Sequence, residues 1–131
     1  YTFWRWLPAV QNDWAARMNW CVATNFADAN HPPVIQVKGG LKRTIKAGET
    51  VKLEAGVSDP DGHKLAAKWW QYAEADSAVA TVTIANSDSL GKASFVAPNE
   101  PGKQLHIILE VTDNGTPPLT RYARVIVTIQ P

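Results

Sequence analysis

The side chains best suited to chemistry lie in two short stretches. In Lys68-Trp69-Trp70-Gln71-Tyr72, Trp70 and Tyr72 are two residues apart. On a strand that spacing puts both rings on one face, about 7 Å apart. Rings so placed suit sugar: the apolar C–H faces of β-1,4-glucan pyranoses stack on them, and flanking polar groups bond the equatorial hydroxyls. The second stretch is Asp59-Pro60-Asp61-Gly62, two carboxylates in a turn. Asp28 and Asn30 repeat the spacing. Such oxygens could surround a hard cation, which predicts a structural Ca²⁺ held by Asp59, Asp61, Asp28 and Asn30. The plainer alternative is an Asp-Gly turn with exposed charge.

Parts for catalysis are missing. His31, His63 and His106 are scattered and sit in no H-E-x-x-H, and neither G-x-S-x-G nor a phosphate-binding glycine loop is present. Cys21 falls on a helical apolar stripe, where a small core residue is expected rather than a nucleophile. No pair of carboxylates stands out for glycoside hydrolysis. Asn114-Gly115-Thr116 fits the glycosylation pattern but reads better as a turn. With 13 basic and 12 acidic residues the net charge is +1, so neither nucleic acid nor an anionic membrane is an expected partner. Every apolar run is too short to span a bilayer. Residues 1–6 lack the charged start and long apolar stretch of a signal peptide, so export is not legible from them.

The 131 residues suffice for one core, but the chain has two unlike parts. In residues 1–30, Val10, Trp14, Met18 and Cys21 recur at helical spacing behind Leu7-Pro8, which predicts about three turns of amphipathic helix. One helix cannot bury its own stripe, so it must lean on something. His31-Pro32-Pro33 then forces extended chain. Beyond it, alternating runs near 34–38, 41–46, 50–57, 65–72, 79–84, 92–97, 104–112 and 121–129 are separated by Gly, Pro, Asp and Asn turns. The expectation is an all-β fold: an immunoglobulin-like β-sandwich of seven or eight antiparallel strands over 31–131, with a short N-terminal helical segment.

Alternation assigns the faces. Val51, Leu53, Ala55 and Val57 point inward, as do Leu105, Ile107, Leu109 and Val111, then Ala123, Val125, Val127 and Ile129, with Trp69 as the large core tryptophan. The opposite faces of 65–72, 104–112 and 121–129 are unusual. As neighbours in one sheet they pool Trp70, Tyr72, Tyr122, Ile108 and Ile126, edged by Lys68, His106, Glu110 and Arg124. One sheet is thus apolar on both sides, which monomers rarely leave without a use. A flat sugar platform is one reading, with Trp70 and Tyr72 stacking, Tyr122 extending the surface, and Glu110, Arg124, His106 and Lys68 bonding hydroxyls. Cover by Trp14, Met18 and Trp20 of the N-terminal segment is another, and docking on a further domain, as in an interdomain spacer, a third.

Several segments resemble one family. They are Asn30-His31-Pro32-Pro33-Val34, the turn 59–62 leading to Lys68–Tyr72, and most specifically Leu105 through Tyr122. The chain resembles the C-terminal module of bacterial cellulose-binding proteins related to nucleoside hydrolases. Trp4-Arg5-Trp6 through Met18 resembles the last helix of the preceding domain in those proteins. The resemblance implies a non-catalytic carbohydrate-binding module for cellulose, cello-oligosaccharides, xyloglucan or mixed-linkage β-glucan, joined to an enzyme domain and secreted or displayed on the cell surface. A weaker likeness to cadherin-like repeats, through Asp28-x-Asn30, Asp59-x-Asp61 and Asp113-x-Gly115, implies calcium. His31 stands where those repeats carry another acid or amide.

Overall fold

A computed structural model describes residues 2–131, so Tyr1, where the expected N-terminal segment starts, lies outside the described residues. The elements are a helix α1 (Thr2–Val22) followed by strands β1 (Val34–Val37), β2 (Lys42–Lys46), β3 (Thr50–Leu53), β4 (Ala55–Ser58), β5 (Leu65–Gln71), β6 (Ala93–Val96), β7 (Gln104–Asp113) and β8 (Thr120–Gln130). The chain is mostly β, with one N-terminal helix, as the alternation required. The chain divides into two compact units. One takes in the N-terminal stretch through Ile35 with Val57–Ala66 and Val111–Arg121; the other comprises Gln36–Gly56, Ala67–Glu110 and Tyr122–Pro131.

The second unit holds the sandwich. The strand orders are β2-β8-β7-β5 in a four-stranded sheet and β3-β6 in a two-stranded one, while β1 pairs with β4. Inward residues of alternating strands fill the core: Val51, Leu53 and Phe95 from the smaller sheet, and Trp69, Leu105, Ile107, Leu109, Val125, Val127 and Ile129 from the larger, all buried. Each such side chain contributes about 1.5–3 kcal/mol by leaving water. The Trp69 ring nitrogen donates to the Ser89 carbonyl at 3.0 Å, so its one polar atom is satisfied inside.

Three departures from the sequence reading have physical causes. First, the run 50–57 breaks at Glu54: β3 pairs with β6 and β4 with β1, so one apolar alternation serves two sheets. Second, 79–84 is not a strand. Side chains replace the ladder there. Glu100 accepts from the Val79 and Ala80 amides at 2.9 and 2.8 Å, and Gln71 Oε1 accepts from Val82 N at 2.8 Å. Third, β2 runs parallel to β8, with Lys42 beside Ile126 and Thr44 beside Thr128. The sandwich is therefore not wholly antiparallel, because a strand arriving by a long connection can pair either way.

In the first unit, α1 is longer than the three turns expected and runs through Pro8. That residue lacks the N–H that would reach back one turn. Ala16 is fully buried, and Trp20 is half-buried. The apolar stripe faces the other way. At 100° per residue, Phe3, Trp4, Val10, Trp14, Met18 and Val22 fall in an arc of roughly 120°, and all six are exposed, Trp14 at 64% and Met18 at 45%. Cys21 is exposed as well, not a core residue. The stripe predicted to lean on something lacks cover among the described residues.

Candidate functional site

The outer face of the four-stranded sheet gathers the expected aromatic residues, because β5, β7 and β8 are neighbours in that order across it. Trp70 comes from β5. Its ring nitrogen donates to Glu110 Oε2 of β7 at 3.1 Å. Tyr72 lies one residue past the end of β5. Its amide still donates to the His106 carbonyl at 2.8 Å, but its ψ is 75°, at the start of the 3₁₀ turn Ala73–Ala75. The regular pleat thus ends before Tyr72, and its ring turns away from the Trp70 plane. The centroids are 6.0 Å apart and the planes meet at 76°. The flat pair of faces expected from two-residue spacing is replaced by an aromatic corner.

Tyr122 of β8 completes the group at 36% exposure. Burial, and next the negative charge of Glu110, raise its phenol above the ordinary value of 10.0. Glu110 is therefore within electrostatic reach of Tyr122 as well as bonded to Trp70, and it organises the aromatic corner. Ile108 lies at the base of this face at 3% exposure, and Ile126 is half-buried. Lys68 and Arg124 are exposed. His106 is half-buried, and its Nδ1 is buried without a hydrogen-bond partner. Lys42, exposed and in register with Ile126, adds a cation to this face. Sequence reasoning missed it because the parallel pairing of β2 is invisible in an alternation pattern.

A second constellation lies within the first unit. Asp59 Oδ1 accepts from the amides of Asp61 and His63 at 2.9 and 3.0 Å. Asp113 Oδ1 accepts from the amides of Gly115 and Leu119, both at 2.9 Å. Asp59, His63 and Asp113 each bring a ligand atom within 4.8 Å of the others. Of the residues expected to hold calcium, Asp59 joins this group. Asn30 is buried, and its amide nitrogen donates to Asp113 Oδ1 at 3.1 Å, Asp113 Oδ2 at 3.0 Å and the Pro117 carbonyl at 2.8 Å. Asp61 is engaged by His31, which donates its amide N–H at 2.6 Å and places its ring Nδ1 3.1 Å away. Asp28 accepts from the side chains of Thr24 and Asn25 and from the Asn25 amide. The sequence reading left His63 out of this group; its signal was the spacing of four residues from Asp59 across one turn.

The tryptophan-rich start uses part of its aromatic surface locally. The His31 ring lies between Trp20 and Phe26, at centroid distances of 5.4 and 3.7 Å with planes within 8° and 3°. The Arg17 guanidinium sits over the Trp20 ring, 5.2 Å from its centroid. The Trp20 ring nitrogen donates to the Asn30 carbonyl at 2.6 Å, which holds the linker where its side chain meets Asp113.

The family model for the C-terminal domain of cellulose-binding protein Sde0182 matches residues 50–129. The chain belongs to this family. It is similar to a nucleoside hydrolase-related protein from Saccharophagus degradans that is associated with carbohydrate metabolism, at 42% identity and a TM-score of 0.91 over 96% of this chain. The chain spans about a third of that protein, 32% of its length. Domains 4 and 5 of the S-layer protein SbsC align at 19% identity with a TM-score of 0.46, over 76% of this chain and 47% of theirs. The titin M3 domain aligns at 17% identity and 0.39, over 74% of this chain and 97% of its own. No curated protein matches.

Proposed function

We propose that this chain is a non-catalytic carbohydrate-binding module that takes a β-1,4-glucan chain on the outer face of the β5-β7-β8 sheet and holds an attached enzyme near plant cell-wall polysaccharide. Membership of a family described as the C-terminal domain of a cellulose-binding protein supports the ligand class. The observation that carries the site is the aromatic corner: Trp70 and Tyr72 at 76°, with Glu110 bonded to Trp70 and close to Tyr122. Trp70 stacks a pyranose, Tyr72 and Tyr122 flank it, and Glu110, Arg124, His106 and Lys68 bond hydroxyls. A crystal face of cellulose needs coplanar rings, whereas a corner grips a single solvated chain from two sides. Soluble β-glucan and cello-oligosaccharides are therefore the preferred ligands.

The attached enzyme is inferred from α1. Its exposed stripe of Phe3, Trp4, Val10, Trp14, Met18 and Val22 is the kind of surface that another domain covers, and the similar S. degradans protein is about three times longer than the matched part. A cell-wall ligand places the module outside the cell, secreted or on the surface.

The test is affinity electrophoresis in gels with and without a soluble β-glucan. The wild-type chain should be retarded. Trp70→Ala should weaken binding about thirtyfold, the roughly 2 kcal/mol of a central aromatic anchor, with its circular dichroism unchanged. Undiminished retardation of that variant sinks the site; no retardation of the wild type by any soluble β-glucan, together with no binding to cello-oligosaccharides in calorimetry or to cellulose in a pull-down, sinks the function.

A further inference from the structure

We infer that Asp59, His63 and Asp113 form a site for a divalent cation of the first transition series, of the zinc or manganese class, which ties the 59–63 turn to the last residue of β7. The cluster is more than a group of acids. The Asp59 side chain is 2% exposed, and its Oδ2 is buried with no hydrogen-bond partner. His63 Nδ1 is likewise buried and unpartnered, 3.5 Å from Asp59 Oδ1. Asp113 is 4% exposed. Two carboxylates are thus out of water within 4.8 Å of each other and of an imidazole nitrogen. Among the described residues no lysine or arginine pairs with either acid. Buried like charges repel strongly unless a cation lies between them.

The arrangement around them is that of oriented ligands. In both aspartates Oδ1 is occupied by two backbone N–H groups, which fixes the carboxylate plane. That leaves Oδ2 of Asp59 unfilled, and Oδ2 of Asp113 with the Asn30 amide as its partner. For Asp59 the hydrogen bonds fix the carboxylate without using its remaining oxygen, which is the outer-shell design of metal sites, and for Asp113 the Asn30 amide at 3.0 Å fixes the second oxygen as well. Ligand atoms up to 4.8 Å apart lie near the diameter of a coordination sphere of about 2.0–2.4 Å radius, so small shifts close the site. An open cleft of about 530 Å³, lined by Asn30, Asp61, His63 and Thr116 among others, gives an entry path. The donor set selects the metal. Calcium takes six to eight oxygens, whereas one imidazole with two carboxylates suits zinc or manganese. Asp28 and Asp61, the further oxygens calcium would want, have other partners.

The 131-residue protein, stripped with chelator, is titrated calorimetrically with ZnCl₂, MnCl₂ and CaCl₂ and melted with each. One equivalent of Zn²⁺ or Mn²⁺ should bind, and at a hundredfold excess over Kd the Tm should rise by about 5–10 °C. His63→Ala should weaken binding by about tenfold or more, since even outer-shell partners are worth about 10–100-fold. The His63 side chain is 34% exposed, so this variant should fold where Asp59→Asn fails. Cys21→Ala, which removes the exposed thiol, should change nothing. Three outcomes overturn the inference: no binding of Zn²⁺ or Mn²⁺, binding unaffected by His63→Ala, or Ca²⁺ alone bound with equal affinity in that variant.

Discussion

Asn30 is a buried junction whose removal has a calculable effect. It is 5% exposed, and its amide nitrogen reaches both oxygens of Asp113 and the Pro117 carbonyl at 2.8–3.1 Å. Asp113 Oδ1 keeps two backbone donors without it, but Oδ2 loses its partner on a residue only 4% exposed. A hydrogen bond to a charged group is worth about 1.5–3 kcal/mol and a neutral one about 1 kcal/mol. Asn30→Ala should therefore destabilise the fold by about 3 kcal/mol, or about 12 °C in Tm for a chain of this size. Asn30→Asp is nearly isosteric but sets a carboxylate oxygen about 3 Å from Asp113. At an effective dielectric of about 20 that adds about 5 kcal/mol of repulsion. Urea denaturation in chelator, followed by tryptophan fluorescence, should rank wild type above Asn30→Ala above Asn30→Asp, with unchanged slopes. A loss below about 1 kcal/mol for Asn30→Ala, or Asn30→Asp outlasting it, would refute the reasoning.

Two other outcomes follow from named contacts. The Tyr122 phenol should titrate above 10.0, for the burial and the Glu110 charge that raise it. Its contribution to stability is complete below pH 10.0 and is lost as pH rises through the raised folded value. Absorbance at tyrosinate wavelengths should show the shift shrinking in Glu110→Gln and vanishing in Tyr122→Phe. Glu100→Ala should free the Val79 and Ala80 amides, which now donate to its carboxylate. Hydrogen exchange should show both losing protection while Val82, held by Gln71, keeps it.

Much of the fold was legible because burial leaves a period-two signature. Leu105, Ile107, Leu109 and Val111 are all buried, as are Val125, Val127 and Ile129. Trp69 proved to be the core tryptophan, and β5, β7 and β8 are neighbours in one sheet as the immunoglobulin-like topology implied. What failed did so where side-chain hydrogen bonds or the choice of covering surface decide. Residues 79–84 alternate like a strand, yet their amides go to Glu100 and Gln71. The helix stripe at Val10, Trp14 and Met18 is real, but Ala16 marks the buried side. A sequence shows that a stripe is apolar and not which surface covers it.

The two candidate sites divide along the same line. By itself the sequence determined a β-rich module with aromatic residues on an outward face and an acidic turn near residue 60. Those are local properties, set by residue type and spacing. The tertiary structure alone decided that Trp70 and Tyr72 meet at an angle, since the pleat ends between them. It also decided that Asp113, 50 residues and more along the chain, shares a buried cluster with Asp59 and His63, while Asp28 and Asp61 turn to other partners. Long-range pairing sets which carboxylates lose their water, because only the packing of segments distant in the chain takes them out of solvent.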